Sequence, residues 1–115
     1  MNAVTERKLL GLLGLGLRAR TALVGVEQVR NAAKRGKLFL AVVAPDASQN
    51  SRNKVVPLLQ AKRIRVIEGP SASALGAAAG RNATAAIGIV DRDLAKGIRE
   101  IADQGPAVAH KEGRF

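Results

Sequence analysis

Acid–base, nucleophilic or metal chemistry needs histidine, cysteine or close carboxylates, and this chain holds few of them. It has no cysteine and one histidine, His110, which falls in a polar stretch near the end. That removes thiol catalysis, disulfides and cysteine metal sites, and no metal-ligand spacing surrounds His110. Asp46, Glu68, Asp91 and Asp93 fall near expected strand ends, where α/β enzymes hold active residues. Asp46 and Asp91 each precede a helical stretch, however, so N-capping accounts for them. Neither glycine cluster is a phosphate loop. Gly11, Gly14 and Gly16 lie inside a leucine pattern with no Gly-Lys-Ser/Thr after them, and Gly76 and Gly80 form a small-x-x-x-small pair that reads as helix-to-sheet packing. No catalytic residue, metal ligand or cofactor is expected.

What remains is binding. Lys and Arg number 19 against 9 Asp and Glu, a net charge of +10, and that excess attracts polyanions. Nucleic acid is the first expected partner and an anionic membrane surface the second. With two Phe and no Tyr or Trp, the chain has no aromatic platform for stacking single-stranded bases. RNA shape, phosphates and exposed base edges are left. The basic residues gather around one stretch, Leu17 to Gly36. A helix is expected from Gly25 to Gly36, with Val26, Val29, Ala32 and Ala33 as its buried stripe. Glu27, Gln28, Arg30, Asn31, Lys34 and Arg35 stay outside. A glycine before a helix start leaves N–H groups for an anion or a base edge. Arg30 and Lys34 are four apart, and Arg18 and Arg20 lie just upstream. Arg35 and Lys37 partly serve the negative end of the helix.

The elements that must carry this stretch follow from periodicity. At 115 residues the chain makes one domain with a modest core. Residues 5–17 read as a leucine-faced helix, weakened by three glycines that would let another backbone approach. Arg7 and Lys8 before the leucines imitate a signal peptide, but the run is short and no cleavage site follows; a buried first helix is the reading adopted. Residues 21–24 form an edge strand, and 37–44 a central strand covered on both faces. Asp46 or Ser48 caps a helix running to about Lys62, which Pro57 kinks or restarts. A strand at 64–68, a turn at Gly69-Pro70-Ser71, a helix at 72–79 ended by Gly80, a strand at 84–90 and a last helix capped by Asp91 complete the pattern. Alternating strands and helices predict an α/β fold, a three-layer α/β/α sandwich around a small mixed four-stranded sheet. The domain spans residues 1–104, and 105–115 are expected to be a flexible polar tail.

Four stretches in order resemble the kink-turn RNA-binding ribosomal protein superfamily, often called L-seven-Ae/L-thirty-e, and within it the small bacterial YlxQ-like branch. They are Leu13 to Arg20, Gly25 to Gly36, Ala44 to Lys54 (Ala-x-Asp-Ala-Ser-x-Asn-x-x-x-Lys) and Leu75 to Gly80 (Leu-Gly-x-Ala-x-Gly). The resemblance covers about residues 5–102. It implies an α/β/α sandwich that holds a sharply bent RNA with tandem sheared G·A pairs. By the same resemblance the contacts fall on Gly25, Val26, Glu27, Gln28 and Asn31 with Arg30 beside it, and on the loop Glu68, Gly69, Pro70, Ser71 and Ala72. Glu27 stands where the family has Asn or Lys, and Asn31 where it has Lys.

The function expected is therefore non-catalytic recognition of folded RNA, ribosomal RNA or a structured mRNA leader, by a cytoplasmic monomer that needs no membrane. Gln28 and Asn31 would meet base edges, and Arg18, Arg20, Arg30 and Lys34 would hold phosphates. Two alternatives stand beside it: a protein–protein module of the ribosome or transcription machinery, and an RNA-targeting domain related to RNA methyltransferases.

Overall fold

The computed structural model describes residues 1–103; the expected tail and His110 lie outside the described residues. Nine elements alternate: α1 (Ala3–Arg18), β1 (Ala22–Val24), α2 (Val26–Lys34), β2 (Leu40–Val43), α3 (Gln49–Ala61), β3 (Arg65–Glu68), α4 (Ala72–Ala78), β4 (Ala86–Ile89) and α5 (Arg92–Ala102). The strands form one mixed sheet in the order β1-β4-β2-β3. β2 and β3 are parallel, while β4 runs antiparallel to both β1 and β2. The expected α/β/α sandwich with a four-stranded mixed sheet is what forms, with β1 at an edge and β2 inside.

Alternation along β2 divides the core between the two faces of the sheet. Leu40, Val42 and Ala44 point to one face, where Leu9 and Leu13 of α1, Leu75 of α4 and Ala95 and Ile98 of α5 bury them. Ala41 and Val43 point to the other, against Val29, Ala32 and Ala33 of α2 and Val55 and Leu59 of α3. Truncating a fully buried leucine such as Leu13 to alanine costs about 2–5 kcal/mol. On β4, Ile87 and Ile89 join the first cluster. Gly88 faces α2, where an added Cβ would lie 2.7 Å from Leu38 and 3.1 Å from Val29. The missing side chain is what lets α2 settle on the sheet.

Local signals explain most element ends. The Asn2 side chain accepts a hydrogen bond from the Thr5 N–H at 2.8 Å, so α1 begins at Ala3, ahead of the expected start. Ser48, Ser71 and Asp91 cap α3, α4 and α5, and for Ser48 and Asp91 this is in line with the sequence. β2 is shorter than the run 37–44 suggested, because Lys37 to Phe39 are used in the return from α2.

Three expectations about glycine and proline change. The methyl that Gly76 lacks would lie 2.5 Å from the Cα of Ala83, so this glycine admits the backbone of its own following loop rather than the sheet. In α1, Gly11 faces open space and Gly16 admits the Leu94 and Thr21 side chains; neither draws in a second backbone. α3 is one helix through Pro57. Asn53, whose carbonyl loses an N–H partner to the proline, is exposed, as is Pro57, so water can take the vacancy.

Candidate nucleic-acid interface

β1, β2 and β3 run the same way, so their C-terminal ends share one edge of the sheet with the start of β4. Gly25, at the end of β1, turns the chain into α2 with φ 100° and ψ 157°. Its N–H donates to the Ala86 carbonyl at 2.9 Å, which fixes the turn against β4. No side chain caps α2. Its first N–H groups, at Val26, Glu27 and Gln28, therefore face outward with the partial positive charge of a helix start.

Those residues form one wall of an open groove of about 500 Å³, lined also by Val24, Ser51, Lys54 and Arg81. Ser51 and Lys54 come from α3, and Arg81 from the loop between α4 and β4. Arg30 is half-buried, and its guanidinium donates to the Lys54 carbonyl. It ties α2 to α3 beside the groove. Arg81 is held by its backbone, whose N–H donates to the Gly76 carbonyl at 2.7 Å.

The second expected element, the loop after β3, lies on the same edge. Gly69 has φ 92°, and the Gly69–Pro70 peptide is cis. The Gly69 N–H donates to the Val43 carbonyl at 2.9 Å. Glu68 is bound by Arg52 through two hydrogen bonds of 2.9 and 2.8 Å, and Arg52 also donates to the Ala44 carbonyl at 3.1 Å. These hydrogen bonds, then the charge of Arg52, hold the Glu68 carboxyl below its ordinary pKa and raise that of Arg52. Asp46 accepts from the Ala72 N–H at 2.8 Å. Its part is to pin this loop, while the cap of α3 falls to Ser48.

The sequence-predicted residues therefore divide. Gly25, Val26, Glu27 and Gln28 line the groove, and Asn31 follows one turn on as an exposed residue. Glu68, Gly69, Pro70, Ser71 and Ala72 occupy the same edge. Gly69 and Pro70 are buried, and Glu68 is occupied by Arg52. Lys34 lies eight residues beyond Val26, about 12 Å along the helix, away from the groove. Arg18 and Arg20 are not brought to it either. Ala22 pairs with Ile89, and Ile89 with Leu40, so the residues before β1 sit at the opposite edge of the sheet. A short strand separates them from Gly25 in sequence and carries them to the other end in space.

Ser51, Lys54, Arg81 and the latch residues Arg52 and Asp46 were not among the expected contacts. For Lys54 a signal existed, because it closes the Ala44 to Lys54 motif. Arg81 had none, since only the folded loop carries it to α2. Among the described residues, no three His, Asp or Glu side chains are grouped as metal ligands would be. No helix there is long and apolar enough to cross a membrane.

Comparison with known proteins bears on the family and the fold. A search of curated proteins gives no match. Among solved structures, a protein of unknown function from Bacillus halodurans is 31% identical with a TM-score of 0.77, over 84% of this chain and 97% of its own. The Giardia lamblia 15.5kD RNA binding protein shares the fold at 23% identity and a TM-score of 0.75, over 94% of this chain and 92% of its own. The model of the ribosomal protein L7Ae/L30e/S12e/Gadd45 family matches residues 7–99, and the chain belongs to that family.

Proposed function

We propose that the chain is a non-catalytic RNA-binding protein that grips folded RNA at the groove beside Gly25, and that a kink-turn in a ribosomal or translation-related RNA is the class it suits. One observation carries the reading. An uncapped helix start, an amide side chain and two cations from distant elements converge on one open groove. Family membership supports it, as does the RNA-binding name of the Giardia protein with the same fold.

The roles follow from the chemistry. Gly25 lets a sugar-phosphate backbone come close, and the N–H groups of Val26 and Gln28 donate to an anionic oxygen. Lys54 and Arg81 hold phosphates. Gln28 and Asn31 present donor and acceptor to base edges, while Glu27 accepts from a base amino group. Arg30 acts through Lys54 as a positioning residue. The latched loop from Gly69 to Ala72 packs beside an unstacked base.

Two RNAs test this: a kink-turn with tandem sheared G·A pairs, and the same strand with those pairs replaced by Watson–Crick pairs. The unsubstituted chain should prefer the kink-turn. Gln28→Ala should narrow the preference by about 5- to 150-fold, the range for one bidentate base contact. Lys54→Ala with Arg81→Ala should weaken both RNAs together. Equal binding of the two RNAs by the unsubstituted chain removes the kink-turn and leaves RNA binding. Failure to bind either removes the function.

A further inference from the structure

The edge of the sheet opposite the groove gathers basic residues that the groove does not use. Hydrogen bonds from Val90 to Thr21 and from Phe39 to Ile89 stitch its turns together. Along it, in strand order, stand Arg18 and Arg20 before β1, Arg92 after β4, Lys37 before β2, and Lys62 and Arg63 before β3. Four strand ends at about 4.8 Å spacing give a row of roughly 15 Å. A nucleic-acid strand carries a phosphate about every 3.4 Å of axis, so the row suits roughly four of them. The acids at this edge are few and mostly engaged: Asp91 caps α5 at Leu94, and Asp103 binds Arg65 at 2.7 Å. Asp93, beside Arg92, is exposed.

The helix ends on this edge are unusual. Among the described residues, four helices finish on a residue with positive φ. α2 and α4 use Gly36 and Gly80, whereas α1 and α3 use Arg20 at φ 65° and Arg63 at φ 58°. Glycine is the ordinary choice in that conformation, and arginine gains nothing there from its backbone. The negative end of α1 already has Arg18 in its last turn, and Lys62 is the residue that follows the last turn of α3. Among the described residues, neither Arg20 nor Arg63 has an acidic partner. Arg92 lies over the Phe39 ring at 5.8 Å from its centroid, which holds its guanidinium on the outer face of the same edge.

We propose that this second edge binds the phosphate backbone of an RNA duplex, without regard to sequence, so that the molecule can hold two RNA segments at opposite ends of its sheet. RNA duplex is favoured over an acidic protein because cations stand at all four strand ends of the row with one aromatic ring among them, while the apolar side chains at this edge meet in a hollow lined by Ala33, Gly36, Leu38, Ala61, Lys62 and Ile64, beside the ends of α2 and α3. Binding at this edge is independent of what the groove holds.

The test uses the full chain, a straight RNA duplex and a salt titration of binding. Arg20→Asn, Lys37→Gln and Arg63→Asn together keep the positive-φ turns tolerable, since asparagine adopts them, and remove three cations. The plot of log affinity against log salt should become shallower by about 2 to 3, at roughly 0.7–0.9 for each phosphate no longer neutralised. Arg7→Gln with Lys8→Gln, exposed cations of α1 that belong to neither the groove nor this row, should leave the duplex slope unchanged. Acetylation of Lys37 in the unsubstituted chain gives a second readout that needs no variant: duplex should slow it and leave the exposed Lys8 reactive. An unchanged slope in the triple variant, or protection of Lys54 in place of Lys37, overturns the proposal. So does binding to phosphatidylserine vesicles that depends on these three residues in a chain that ignores duplex. Failure of the kink-turn RNA to bind while duplex still protects Lys37 would remove the groove reading alone.

Discussion

With φ 100° and ψ 157°, Gly25 occupies backbone territory open almost only to glycine. A Cβ there would meet no atom within 4 Å, so the cost of a side chain comes from the backbone and not from crowding. Gly25→Ala should therefore cost about 1–3 kcal/mol and lower the melting temperature by roughly 5–15 °C. Gly80 offers the control. Its φ of 72° is a conformation asparagine tolerates, so Gly80→Asn should melt within a few degrees of the unsubstituted chain. Thermal melts followed by circular dichroism compare the two; equal small shifts would show that the start of α2 relaxes freely. Gly25 was legible because its signal is local, a glycine between a strand and an amphipathic helix. Lys54 and Arg81 contribute to the same groove from 29 and 56 positions further along the chain, and no local pattern announces such a meeting.

Positioning of the groove and its neighbouring loop depends on two contacts between elements. Arg52 on α3 fastens Glu68 at the end of β3. The folded state prefers the ionised carboxylate, so this stabilisation is complete above the unfolded pKa of about 4.5 and is lost as pH falls through the lower folded value. The stability difference between the unsubstituted chain and Arg52→Ala should accordingly shrink on acidification below about pH 5. Glu68 is half-exposed, so the pair itself is worth about 1 kcal/mol or less. Denaturant melts at neutral and acid pH measure the change, and a difference that grows on acidification would reverse the sign assigned here. The second contact is Gly76 against the loop that carries Arg81. A methyl at Gly76 would lie 2.5 to 2.8 Å from backbone atoms of Asn82 and Ala83, and backbone cannot swing aside as a side chain can. Gly76→Ala should cost about 1–3 kcal/mol and weaken RNA binding through displaced Arg81. Gly88→Ala, whose nearest neighbour is the end of the Leu38 side chain, should disturb the groove less. A calorimetric melt with an RNA titration separates the two variants. The sequence showed Gly76 as a packing glycine but not its partner, because helix-to-sheet and helix-to-loop packing require the same small residue.

At the scale of the whole molecule, the alternation of apolar runs with amphipathic stretches made the layers, the strand positions and the inside place of β2 readable. The direction in which each strand meets its neighbours was not. That direction decides that Arg18 and Arg20 sit opposite Gly25, although five to seven residues separate them in sequence. Pairing register is a long-range property that no local window contains. The same geometry puts cations at both ends of the sheet, in a chain of net charge +10 with two ion pairs among its described residues. Self-repulsion should then outweigh the pairs. Raising salt from roughly 20 to roughly 300 mM screens both, and the net result should be a higher melting temperature for the free protein. Bound RNA should act the other way with salt: it raises the melting temperature by mass action, most at low salt, with the gain fading as phosphate contacts weaken. Melts of the free and RNA-bound chain across that range should therefore converge from both sides. A free chain that melts earlier as salt rises would mean that the Arg52–Glu68 and Arg65–Asp103 pairs outweigh the repulsion between the two basic edges.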